Sequence, residues 1–237
     1  MQIKFIQDII DILRDKKGSR SVYKKNNIQI NEKIKKNINL NICGENNSII
    51  IKSESINGKI DINIYGDNNF IFIDNNVYLS VSISIFMGQN HPYFGKIYNS
   101  SFEILKDTSI EQMSYVTYNS NTYCKIGEDC MLSYGITIYN TDAHPIFDKD
   151  TKQLINRAKG IEIGKHSWIC QGVTILKNST IPNNSIVGCN AVFSGRKDDP
   201  YCAYAGNPAK VVKSNVIWDR NGKDCGYIDN EQERIQQ

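Results

Sequence analysis

The chain has 237 residues, with 28 lysines and arginines against 25 aspartates and glutamates, a formal net charge of +3 and a pI near 8.4. That length allows one large domain or two small ones. The mild basicity is too weak to argue for nucleic acid, yet it is compatible with an anionic ligand.

The first segment, MQIKFIQDIIDILRDKKG, places Ile3, Ile6, Ile10 and Leu13 at helical spacing and ends at Gly18. Asp8, Asp11 and Asp15 interrupt it, so it lacks the apolar run of a signal or membrane span. The spacing predicts an N-terminal amphipathic helix over 1–20, with at most peripheral membrane contact. Seven cysteines (43, 124, 130, 170, 189, 202 and 225) form no Cys-x-x-Cys pair and no even framework. With no signal-peptide pattern, they read as reduced thiols of a cytoplasmic protein.

INLNICGENNSIII (38–51) returns as IDINIYGDNNFIFI (60–73), and KNNIQI (25–30) echoes its end. Gly-Glu/Asp-Asn-Asn marks a turn tolerant of left-handed backbone between alternating isoleucines. These segments predict wider coils of a solenoid, with asparagines stacking and hydrogen-bonding at the corners. Residues 86–112 fit no frame and predict a surface excursion.

From residue 161 the chain counts in sixes. Ile163, Ile169, Ile175, Ile181, Val187 and Phe193 recur without a break, and Ser167, Val173, Ser179, Ser185 and Ala191 follow four positions after the first five. The same frame holds upstream in Ile126, Leu132 and Ile138. A strict period of six means one short strand and one tight turn, repeated. That is the pattern of a parallel β-helix of hexapeptides, in which each coil buries its faces against its neighbours. The fold class is therefore all-β, with a β-helix over 21–213, an extended polar loop over 139–160 and an irregular C-terminal tail over 214–237.

The hexapeptides, the looped-out DAHPIFD (142–148), SWIC (167–170) and AGNPAK (205–210) together resemble the left-handed β-helix acyltransferases. The likeness is closest to sugar and polysaccharide O-acetyltransferases of the sialic acid or capsule type, and it is tight over about 124–213. The resemblance implies a left-handed coil, a homotrimer and acetyl-CoA bound in the groove between adjacent β-helices. It also implies a carbohydrate acceptor, with no metal and no nucleic acid. His144 stands in the His-Pro context of the family's catalytic histidine and is expected to act as general base on the attacking hydroxyl, which suits a group titrating near neutrality. Trp168 stands where a tryptophan lies beside the CoA thioester, and its single N–H donor suits the departing sulfur.

The resemblance places Gln171, Cys189, Ser194 and Gly195 along the pantetheine slot. The segment over 196–213, with Gly206, Asn207 and Pro208, is expected to close over CoA, and Lys210 and Lys213 to meet its phosphates. The oxyanion donor is expected among the backbone N–H groups of Ile169 to Gly172, and Asp142, Asp148 or a backbone carbonyl to orient His144. The family's acceptor-holding asparagine has no clear counterpart near Met113 and Ser114. Weaker alternatives are His91 as a substrate-loop histidine, and Cys170 as a nucleophile rather than a small hydrophobe filling a corner. His166 is expected on a coil face.

Competing functions are N-acetylation of an amino sugar or drug, zinc hydration chemistry on the same fold, and a non-catalytic scaffold. No glycine-rich βαβ fingerprint precedes the repeats. Three histidines, at 91, 144 and 166, offer no close His-x4-His pair for zinc. A scaffold gives no reason for His144, Trp168 and AGNPAK.

Overall fold

The computed structural model describes residues 25–91 and 94–220. The amphipathic helix expected over 1–20 and the end of the tail, with Cys225, lie outside them. An aliphatic at every sixth position is buried throughout only if each hexapeptide forms one side of a prism. Ile163, Ile169, Ile175, Ile181, Val187 and Phe193 are all buried, as are Ser167, Val173, Ser179, Ser185 and Ala191. The strands pair in parallel with a constant offset of 18 residues, Glu162 with Thr180, Trp168 with Ile186 and Thr174 with Val192. Three hexapeptides thus close one coil of a left-handed parallel β-helix.

The coils build three strand stacks. The first is a seven-stranded ladder from Asn27–Ile30 to Thr180–Ile181. The second includes Met131–Leu132, Trp168–Ile169 and Ile186–Val187, and the third includes Ile136–Tyr139, Thr174–Leu176 and Val192–Phe193. The corners between them are made by residues that tolerate left-handed backbone. His166, Gly172, Asn178, Asn184 and Asn190, again six apart, all have φ between 50° and 72°. At Gly172 space also matters, because a Cβ there would lie 2.2 Å from Asn190 Oδ1.

The N-terminal coils are wider. Asn27 pairs with Ser48 and Ser48 with Phe70, offsets of 21 and 22 residues. Their corner carries a buried ladder of side chains. Asn47 Nδ2 donates to Asn26 Oδ1 (3.0 Å) and Gly66 O (2.9 Å), and Asn47 Oδ1 accepts from the N and Nδ2 of Asn69 (2.9 and 3.0 Å). Ser100 and Thr122 continue it. Each rung satisfies backbone groups that a corner leaves unpaired. Asn47→Ala should therefore lower stability by about 1–3 kcal/mol, whereas Asn39→Ala on the exposed surface should stay within about 0.5 kcal/mol. Urea denaturation of the two variants measures the difference.

The irregular stretch expected over 86–112 is narrower than its sequence implies. Phe86 and Met87 complete the strand Tyr78–Met87, and Ser101–Ile104 and Ser109–Thr117 lie in the stacks. The interruption falls between Met87 and Ile97. The frame was hidden because Phe102, Met113 and Tyr115 fill inward slots held elsewhere by isoleucine. At the C-terminal end, Cys202–Ala205 and Lys210–Ser214 form an antiparallel hairpin beside the last coil, with buried Tyr204 edge-on to Phe193 at 5.5 Å. Among the described residues no helix is long and apolar enough to cross a membrane.

Candidate active site

The polar loop leaves the third stack after Tyr139 and rejoins the first at Gly160. Its root is buried. Asn140 Nδ2 donates to Tyr123 O at 2.9 Å, and the Ala143 N–H donates to Thr141 Oγ1 at 2.9 Å. Ala143 has a φ of 61°, and this turn throws His144 outward. Asn156, twelve residues on, holds the turn from the far side of the loop. Its Oδ1 accepts from Ile146 N (2.8 Å), and its Nδ2 donates to His144 O (2.9 Å) and Asp142 Oδ2 (2.8 Å). Lys177, from the next coil, pairs with the same Asp142 oxygen at 3.1 Å.

Neither candidate carboxylate orients the imidazole. Asp142 is engaged by Asn156 and Lys177, while Asp148 accepts from the N–H groups of Asp150 and Thr151 in its own turn. Those bonds, above all from Thr151, hold the Asp148 carboxyl below the usual range. The His144 ring is exposed, 6.0 Å from Phe94, which stacks on Tyr118 at 4.4 Å. His91 packs on Phe94 at 5.2 Å, which puts the second candidate histidine beside the same aromatic pair. Asn119, Asn121, Asp142, His144, Asn156 and Arg157 share one cavity of about 450 Å³. The Arg157 side chain has no ion pair among the described residues, and the cavity's carboxylate is already neutralised. The lining of the cavity thus includes one arginine without an ion pair, together with His144.

The residues expected to bind CoA fall into two groups. Trp168 lies in the second stack, and Gln171 and Cys189 lie at the corner between the second and third stacks. Gly206 joins them there, its carbonyl accepting from Val192 N at 3.0 Å, and Asn207 and Pro208 follow it in the same turn. Lys210 and Lys213 sit exposed on the hairpin strand that follows, opposite Ala205 and Ala203. Ser194 and Gly195 instead follow the third stack, at the corner from which the His144 loop emerges two coils earlier. Within one chain, Trp168 thus stands on the second stack, whereas His144 is carried on a loop that leaves the third. Trp168 is half-buried, and its Nε1 is buried with no acceptor.

Among the proposed oxyanion donors, the N–H groups of Cys170 and Gly172 are committed to Val187 O (2.9 Å) and Tyr134 O (3.0 Å). Cys170 is buried, and burial together with Cys189 beside it pushes its thiol up to about 12. At neutral pH it is a thiol that packs a corner, not a thiolate nucleophile. His166 lies in a corner turn rather than on a face, because its φ of 50° is the left-handed conformation the corner requires. Asn156, Lys177, Arg157 and the cavity asparagines are absent from the sequence-based site. Their only sequence signal is polarity within a loop and a corner, which is ordinary for both.

The fold defines the class: a left-handed β-helix with the architecture of the hexapeptide-repeat acetyltransferases. No protein-family model matches the chain. Its curated homologues are polysialic acid O-acetyltransferases, from Escherichia coli O1:K1 / APEC at 39% identity over 41% of the chain and from Neisseria meningitidis at 36% over 40%. The matched stretch spans 32% and 44% of the length of those relatives. Among solved structures, the polysialic-acid-specific acetyltransferase NeuO superposes with a TM-score of 0.61 at 25% identity, covering 80% of this chain and 92% of NeuO. The polysialic acid O-acetyltransferase OatWY gives 0.50 at 27% identity, covering 89% and 95%.

Proposed function

We propose that this protein transfers an acetyl group from acetyl-CoA to a hydroxyl of an acidic carbohydrate, a sialic acid polymer or its sugar, in a direct ternary-complex reaction. The observation that carries the proposal is His144, held by Asn156 at the rim of a cavity that also contains Arg157. The names of the curated relatives support the acceptor class. A ring nitrogen of His144 accepts the hydroxyl proton as the oxygen attacks the thioester carbonyl. On collapse the carbon–sulfur bond breaks, the Trp168 N–H donates to the departing sulfur, and the proton passes from His144 to the thiolate.

Gln171, Cys189, Ser194, Gly195 and the turn Gly206–Pro208 line the pantetheine path in this scheme, and Lys210 and Lys213 meet the CoA phosphates. With His144 on a loop from the third stack and Trp168 on the second, the working form in this scheme is a homotrimer whose sites are shared between subunits. With acetyl-CoA as donor, the reaction belongs in the cytoplasm. Thiol release from acetyl-CoA with polysialic acid, and an ester in the product, tests the reaction. No acceptor-dependent release and no CoA binding would sink it.

The acceptor contact has its own test. Arg157→Leu should raise KM for polysialic acid about tenfold, the value of one charge-assisted contact, with kcat little changed. A neutral oligosaccharide should not feel the change. Equal effects on charged and neutral acceptors would remove Arg157 from the acceptor site.

A further inference from the structure

After the terminal hairpin, Asn215 turns the chain (φ 55°) and Val216 N donates to Tyr201 O at 3.0 Å. The next residues run back along the second stack, against the direction in which the coils were laid down. Trp218 reaches the level of His166 and Trp168. Arg220 reaches one coil further, to Asp129 and Cys130, and then Ser109. Trp218 is buried, while its neighbour Ile217 is 84% exposed.

The contacts under this segment are specific. The Trp218 ring stacks on His166 at 4.3 Å with 13° between planes, and Trp218 Nε1 donates to His166 O at 2.9 Å. His166 faces Trp218 O with Nε2 (3.2 Å) and Asp129 Oδ2 with Nδ1 (2.6 Å). Arg220 Nη2 donates to Asp129 Oδ1 and Cys130 O, each at 2.9 Å. The Trp168 ring centroid lies 6.1 Å from that of Trp218, with 42° between the planes.

A buried tryptophan N–H nearly always finds an acceptor. Trp168 Nε1 is buried and has none, whereas Trp218 Nε1 beside it is satisfied. We propose that residues 215–220 form a strap closed over the Trp168 indole, and that it lifts to let a ligand atom reach the indole N–H. The strap suits that task. Its outermost anchor is an ion pair between side chains 30% and 46% exposed, which water and salt weaken. Its core contact is one aromatic stack edged by two hydrogen bonds, on a segment outside the strand ladders, where opening costs less than in the core. Lifting it also gives the stranded donor an acceptor.

That the ligand atom is the CoA sulfur rests on the acetyl-transfer proposal; the covering itself does not. The chain has two tryptophans, so Trp218→Phe keeps a ring on His166 and leaves Trp168 as the sole indole. In that background Arg220→Ala should raise acrylamide quenching of Trp168 about threefold and move its emission to longer wavelength. It should also speed association of coenzyme A, followed by stopped-flow quenching, about fivefold. His166→Ala, which removes the stack instead of the ion pair, should act in the same direction. Unchanged quenching in both variants would overturn the strap. So would raised quenching with unchanged CoA association in a protein that binds CoA. If the parent protein neither binds CoA nor releases it from acetyl-CoA, the acetyl-transfer proposal falls, and quenching alone then decides whether the strap covers Trp168.

Discussion

His144→Ala is expected to lower kcat for acetyl transfer by about two to four orders of magnitude and to leave the Kd for CoA within about twofold, a few tenths of a kcal/mol. The asymmetry follows from position. His144 stands on a loop at the rim of one cavity, and the residues expected to hold pantetheine and phosphates lie on the coil corners and the terminal hairpin. Truncation at Cβ removes the proton acceptor and touches none of them. The ring itself makes no hydrogen bond among the described residues, so its loss leaves no buried partner stranded, and Tm should hardly move. Initial rates of thiol release and calorimetric CoA titration separate the two quantities. Release that persists in the variant would pass the role of base to His91, which shares the Phe94–Tyr118 aromatic pair. Cys170 is the weaker substitute, since its raised pKa withholds the thiolate at neutral pH.

The prism was legible because its physics is local and periodic. A side that must be buried every six residues writes an aliphatic every six residues, and the left-handed corner writes Asn or Gly on the same period. The wider coils announced themselves too, since the two Gly-Glu/Asp-Asn-Asn turns lie 22 residues apart, the offset of the ladder that joins Ser48 to Phe70. The candidate site was legible only in the residues proposed to carry its chemistry. His144 stood out because it interrupts a period. Asn156 did not, because INRAK reads as an ordinary solvated loop until the loop closes on itself. The pairs Asp142–Lys177 and Asp129–His166 join residues 35 and 37 apart on neighbouring coils, and Arg220 crosses two coils to reach Asp129. No periodicity encodes such contacts, so the resemblance that set Trp168 beside the thioester carried no sign of residues 215–220.

The second large effect concerns that unread asparagine. Asn156→Ala removes three hydrogen bonds from the His144 turn, to Ile146 N, His144 O and Asp142 Oδ2. The bonds lie on an exposed loop, so global stability should fall by no more than about 1 kcal/mol. The effect on rate should be far larger. A general base displaced by about 1 Å loses on the order of a hundredfold, and a fall of about 10- to 100-fold in kcat with unchanged CoA affinity is expected. Asn156→Asp should do no better despite its matching shape. It keeps the acceptor for Ile146 N, loses both donors and sets a second carboxylate against Asp142. A role in folding alone predicts a loss that adds to any other. A role in positioning His144 predicts that Asn156→Ala costs almost nothing once His144 is alanine. Full additivity in that double-mutant cycle would reduce Asn156 to a structural residue of the loop. Collapse of its effect in the His144→Ala background would tie the clamp to the base.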